Sequence, residues 1–312
     1  MKQATDFSVP ILATACIPWN EREEILESVF RRSIGQLYTE GYENLYLFGT
    51  AGEGYAITDS LFGKIAGIFM EETEAVGMTG IRQLGVIGLS SMQVRQRIEI
   101  GLDLGFTHFQ ISLPCWGPLN DGEVDRFFDD VTGSYPQASF LHYNTPRAGR
   151  ALSGPEYARL YAAHPNLTAT KTGGHTATSL MSLFSLAPQM LHFVTELDYA
   201  AGCLLGFKPG LLVSVSAVNP YLSMAFFHAG QRGDMDELRA LTADINLIRE
   251  KVVGCVGQSR GHMDGAFDKF YSRLLDPEFP LRLLSPYCDA GEQRFETFSH
   301  WIKNEMAEWR RT

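Results

Sequence analysis

Three short stretches of the chain hold residues whose types and spacing suit covalent chemistry. The first is "NLTATKTGG", residues 166–174, where Lys171 stands alone at the end of a β-favouring run and ahead of two glycines. The second is "YNTPRAG", which places Tyr143 before a proline turn, and the third is "GTAGEG", residues 49–54. A lysine amine held in a low-dielectric interior without a compensating carboxylate gives up its proton more readily than one in water. A neutral amine is a nucleophile, and imine formation with a carbonyl substrate is the reaction class that needs it. A phenol beside such an amine can carry protons to and from the carbinolamine and a substrate hydroxyl. Glycine-flanked Thr50 and Ala51 would let backbone N–H groups approach a carboxylate.

Each of these residues also has a plain structural role available to it. A lysine at a strand end ordinarily marks a solvated boundary. Tyr143 is equally suited to be a core aromatic with a satisfied hydroxyl, and for Glu53 the structural role, capping a helix or bonding loop amides, is preferred. His142 precedes Tyr143, so if Tyr143 faces inward His142 faces outward as a core histidine. His175 falls at a loop that either touches substrate or starts a helix. The run "GHMDG" (261–265) offers no second ligand at metal spacing and reads as a loop and helix start, so no metal site is expected.

The elements that must position these residues repeat in strict order. Strands are expected at Ile11–Ile17, Asn44–Phe48, Arg82–Ile87, Thr107–Leu113, Ser139–Tyr143, Leu167–Lys171, Leu191–Thr195 and Leu211–Ala217. Between them lie amphipathic segments such as "EEILESVFRRSIGQLYTEG", "DSLFGKIAGIFMEETEAVG" and "SSMQVRQRIEIGLDLG", each closing on glycine. Several strands are apolar at successive positions, which implies burial on both faces of a parallel sheet. Eight such units predict an α/β (β/α)8 TIM barrel. The competing open sheet would carry a Gly-rich fingerprint after its first strand, and "ILATACIPWNERE" has no glycine. Residues 1–230 thus form the barrel, and three further helices in 231–312 form a C-terminal helical extension packed on it as one structural unit. In a barrel the three stretches all fall at the C-terminal strand ends, with Tyr143 and Lys171 as neighbours.

Composition narrows the partners. A net charge of −10 without a Lys/Arg block offers no footprint for nucleic acid or an anionic membrane, which leaves small molecules. Five scattered cysteines (16, 115, 203, 255 and 288) make no CxxC pair and form an odd count, consistent with a reducing cytoplasm. No signal sequence or stretch of eighteen apolar residues is present, and "GTAGEG" lacks the ending of a phosphate loop.

On "ILATACIPW", "GTAGE" (Gly49 to Glu53), "YNTP" (Tyr143 to Pro146), "TKTGG" and "YSRLLDPEFPLRLLSPY", the chain resembles the dihydrodipicolinate synthase/N-acetylneuraminate lyase family of class I Schiff-base lyases. The resemblance runs over nearly the whole length, with the three site motifs in order. It implies Lys171 as the imine-forming amine, Tyr143 as the proton shuttle and Thr50 as hydroxyl relay. Gly49, Ala51, Gly52, Arg147, Trp116, Glu196 and Ser214 are implied as substrate contacts. It further implies pyruvate or a related 2-keto acid as substrate, no metal or organic cofactor, and a homo-oligomer, dimer or tetramer.

Four departures from the family pattern bear on the reaction. Ala51 replaces a threonine, and the lost hydrogen bond to a carboxylate is worth about 1.5–3 kcal/mol. "PCWGP" puts Trp116 where a neighbouring subunit would lend a relay tyrosine, and indole does not pass a proton as phenol does. The arginine slot after Y-N-x-P falls on Ala148 without a gap or on Arg147 with one. Glu196 replaces a glycine at the pocket wall, where a carboxylate would repel an acidic tail or accept hydrogen bonds from a hydroxylated one; Asp198 keeps an acid of the family. These changes argue against the lysine-pathway condensation and for an aldol, retro-aldol or dehydration reaction on a keto acid with a polar or aromatic tail. The synthase proper and a catalytically silent barrel that binds a small molecule are the alternatives, followed by an unrelated barrel enzyme.

Overall fold

The structure, a computed structural model, describes residues 10–257 and 262–309. Eight parallel strands follow one another around a closed barrel: β1 (Ile11–Ala15), β2 (Leu45–Leu47), β3 (Arg82–Gly85), β4 (His108–Ile111), β5 (Ser139–Tyr143), β6 (Leu167–Thr172), β7 (Leu191–Val194) and β8 (Gly210–Leu212). Pairing of β1 with β8 closes the ring. Helices α1 (Glu27–Thr39), α2 (Asp59–Ala75), α3 (Ser91–Asp103), α4 (Asp121–Val131), α5 (Gly154–Ala163), α6 (Ala177–Leu186), α7 (Glu196–Leu204) and α8 (Pro220–Arg232) alternate with the strands and cover the outside. The TIM barrel expected from the repeat is therefore the fold, and α1, α2 and α3 are each followed by a glycine at positive φ, Gly41, Gly77 and Gly105.

Several elements are shorter than their apolar runs. The first strand ends at Ala15 rather than Ile17, because Trp19 leaves the sheet to bridge Ile25 and fold the next segment into a tight loop. In that loop the Asn20 side chain accepts from the Arg22 and Glu24 amides, so the helix expected from residue 23 begins only at Glu27. The eighth strand ends at Leu212 rather than Ala217, since Val215–Val218 turn into a 3-10 helix. Hydrophobicity alone does not separate a buried strand from the buried turn that continues it.

The two faces of each strand serve different cores. Leu12, Tyr46, Leu141, Ala169, Phe193 and Leu212 meet inside the barrel, apart from the larger cluster between sheet and helices. The register of β5 and β6 aligns Leu141 with Ala169 and Tyr143 with Lys171, so both side chains face the lumen. His142 points the other way: its Nδ1 lies 2.7 Å from the Tyr157 hydroxyl of α5, its ring stands edge-on to Phe128 of α4, and burial lowers its pKa to about 3.

Beyond the eighth unit come α9 (Met235–Val256), α10 (Gly265–Leu275) and α11 (Glu292–Glu305). Helix α9 packs along α7 and α8, and α11 packs on α9. Helix α10 turns back to the barrel end, where fully buried Lys269 ion-pairs with fully buried Glu53 at 2.6 Å. The Glu53 carboxylate also accepts from the Trp19 indole at 2.9 Å and the Leu284 amide at 2.6 Å, while Lys269 donates to the Arg282 carbonyl. Removing one partner of a buried, hydrogen-bonded pair leaves an uncompensated charge at a cost of about 3–5 kcal/mol. Lys269→Met should therefore lower the unfolding free energy by that order, with a lower denaturation midpoint, and Lys269→Met with Glu53→Gln should recover much of the loss. Equal midpoints for the single and double variants would contradict the coupling.

Candidate active site

The lumen end of β6 sets the centre of the site. Lys171 is buried, with 8% of its surface exposed, and its Nζ lies 4.1 Å from the centre of the Tyr143 ring and 4.7 Å from that of Tyr46. Among the described residues no carboxylate lies within ion-pair distance of its amine. The amine lies over two aromatic faces, which attract a cation only weakly. Tyr46 was not picked out from the sequence. It shares the lumen face of β2, its hydroxyl has no partner among the described residues, and burial, then nearby Tyr143, push its pKa well above the ordinary range. A search for aromatics at lumen positions on the other strands would have found it.

The loop after β2 forms the wall beside Tyr46. A Cβ on Gly49 would fall 2.5 Å from the Tyr46 ring, and one on Gly52 would fall 2.8 Å from the Phe48 amide nitrogen, so both positions require glycine. Phe48 and Glu53 hold left-handed backbone at φ 62° and 55°, costly for residues with side chains. The conformation is held from below by Arg97 of α3, which is buried and donates to the carbonyls of Gly54, Ile57 and Ile87 and to Asp59. Thr50 and Ala51 are buried within this loop. No hydrogen bond joins the Thr50 hydroxyl to Tyr143 among the described residues.

Each neighbouring loop is pinned by one polar side chain. After β5, Asn144 exchanges two hydrogen bonds of 2.8 Å with the backbone of Leu152, which fixes the turn that carries Arg147. Of the two candidates for the arginine slot, Ala148 is buried in the apolar core, and Arg147 projects at the barrel end. Its guanidinium binds Asp264 at the start of α10, at 2.8 and 3.4 Å. Burial opposes the Arg147 charge, yet Asp264 and then the Tyr143 phenol more than offset it and raise its pKa. After β6, buried Asp198 accepts from the amides of Gly174 and His175. His175 spends its ring on Thr172 (2.9 Å) and Ser179 (3.1 Å), just ahead of the Thr176 cap of α6.

Glu196 and Trp116 sit in positions the sequence did not disclose. Glu196 is buried, and its Oε1 accepts from the Ser214 amide (2.8 Å), the Ser216 amide (2.9 Å) and the Ser216 hydroxyl (3.0 Å). Burial raises its pKa, and those donors moderate the rise. It holds the loop after β8, including Ser214, to the start of α7. Trp116 is 91% exposed in the loop between β4 and α4, so within one chain it covers nothing.

Helix α10 contributes a carboxyl that the sequence reading passed over. Asp268 lies one turn after Asp264, and burial, then the negative charge of Asp264, raise its pKa to about 8. Nothing in "HMDGAFDKF" marks this residue; its environment arises from packing. Because an unfolded Asp releases its proton near pH 4, the folded state binds more protons between about pH 4 and 8. This contribution to stability is complete below pH 4 and declines as pH rises through 8. Asp268→Asn should flatten that decline, read as denaturant midpoints from pH 4.5 to 8.5; an unchanged slope would refute it.

Comparison with known proteins agrees with this geometry. The model of the dihydrodipicolinate synthetase family matches residues 8–255. A 4-hydroxy-tetrahydrodipicolinate synthase from Exiguobacterium sp. is 24% identical over 296 residues, 89% of this chain and 94% of the relative. A trans-2'-carboxybenzalpyruvate hydratase-aldolase from Nocardioides sp. is 26% identical over 217 residues, 64% of each chain. Among solved structures, Escherichia coli YagE in complex with pyruvate superposes with a TM-score of 0.84 at 15% identity, covering 95% of this chain and 98% of the other. No helix among the described residues is long and apolar enough to cross a membrane.

Proposed function

The chain is a lyase of the dihydrodipicolinate synthetase family, and on that premise we propose that Lys171 forms an imine with pyruvate or a related 2-keto acid. The observation that carries this reading is a buried lumen amine, free of any carboxylate partner among the described residues, pressed against the ring of Tyr143. The amine nitrogen adds to the ketone carbon, and the carbinolamine loses water to give a protonated imine. Loss of a C3 proton then yields an enamine. Its attack on an aldehyde forms a C–C bond, the new alkoxide takes up a proton, and water hydrolyses the iminium to return the amine. The reverse order cleaves the same bond, and loss of the hydroxyl from the adduct is the dehydration.

In this reading Tyr143 moves the protons and Thr50 acts as hydroxyl relay and, with the loop amides of Gly49, Ala51 and Gly52, receives the keto-acid carboxylate. Arg147 acts at the edge of the site next to Tyr143, and Ser214 lines it, held by Glu196. The relative named as a hydratase-aldolase supports aldol and hydration chemistry, and the relative named as a 4-hydroxy-tetrahydrodipicolinate synthase keeps the synthase reaction as the alternative. The exposure of Trp116 supports a contact between copies in a homo-oligomer, dimer or tetramer, and the unpaired cysteines support a cytoplasmic setting.

Incubation with pyruvate followed by borohydride should add the mass of one reduced pyruvyl group to the wild-type chain and none to Lys171→Ala. An adduct that persists in Lys171→Ala, or none in either, would reject the assignment. Tyr143→Phe should keep the trapped adduct and lower turnover of the best keto acid by about 10²–10⁴.

A further inference from the structure

We propose that Asp264, at the start of α10, determines substrate specificity by engaging Arg147, so that the site takes 2-keto acids with uncharged tails and rejects those bearing a second carboxylate. The inference rests on Lys171 as the imine-forming amine and adds a residue from outside the barrel. Arg147 and Asp264 meet through both guanidinium nitrogens and both carboxylate oxygens, at 2.8 and 3.4 Å, the geometry an arginine would otherwise offer a substrate carboxylate. With that pair formed, no charge on Arg147 is left to attract an anion.

The other charges at this end of the barrel sharpen the choice. Asp268 lies within electrostatic reach of Asp264, of Lys171 and of buried Glu196. The iminium formed at Lys171 is matched by the carboxylate of the keto acid itself, and Arg147 is matched by Asp264. A second carboxylate reaching for Arg147 would have to displace Asp264 and would add negative charge beside it. The pair is partly solvated, at 45% and 39% side-chain exposure, so displacement is costly without being forbidden. Asp264 makes no capping bond to α10, so its replacement by asparagine spares the helix start.

Borohydride trapping with two keto acids of similar length, 2-oxohexanoate and 2-oxoglutarate, tests the charge rule, with pyruvate as reference in every variant. The wild-type chain should trap 2-oxohexanoate at least tenfold more efficiently than 2-oxoglutarate. Asp264→Asn should narrow that ratio about fivefold, and the further change Arg147→Met should abolish the narrowing. A pyruvate adduct with equal trapping of the two longer acids by the wild type, or a ratio that Asp264→Asn leaves unchanged, would overturn the charge rule alone. Absence of a pyruvate adduct would overturn the lysine reading and this inference with it.

Discussion

The Glu53–Lys269 ion pair ties the barrel to its C-terminal extension, and the arrangement of the mouth depends on it. Glu53 sits in left-handed backbone at the end of the glycine-rich loop, and Lys269 sits in the middle of α10; both are fully buried. A buried pair is stabilising only when its remaining donors and acceptors are met. Here Trp19, Leu284 and Arg282 meet them, so segments from four parts of the chain converge on one charge pair. Lys269 anchors the helix whose start carries Asp264, the partner of Arg147.

The same device recurs around the barrel end in smaller form. Arg97, Asn144, Asp198 and Glu196 are each buried and each bond backbone groups of the loops at this end of the barrel. Loops satisfied in this way lose the freedom that loops ordinarily have. The proposed catalytic pair then needs little polar support: Lys171 and Tyr143 are placed by strand register, and Tyr46 closes the other side. Rigid polar scaffolding surrounds a centre whose amine has no carboxylate within ion-pair distance among the described residues, the contrast on which the proposed nucleophilic role of Lys171 rests.

Much of this was written in one dimension. The alternation of apolar runs and amphipathic segments specifies eight βα units because a parallel strand buried on both faces must be apolar at successive positions. Period-two alternation along β5 and β6 settles that Tyr143 and Lys171 share a face while His142 takes the opposite one. The Asn144 and Glu53 positions were visible within their motifs, although their partners, Leu152 aside, are distant in sequence.

What the order of residues left open was decided by contacts between segments far apart. Whether Ala148 or Arg147 faces the mouth depends on the turn that Asn144 pins, and Arg147 gains its partner 117 residues away. Glu196 reads as a wall of the pocket, and only the folded loop after β8 supplies the donors to its Oε1. Asp268 looks like any helix-surface acid, and only its packing against the barrel end makes its proton hard to remove. The chain's own pattern therefore determined the barrel and the face on which its amine lies, since both follow from local periodicity. Tertiary structure alone decided the charges around that amine, because electrostatics depends on distance in space and burial, neither of which is a property of a residue's neighbours in sequence.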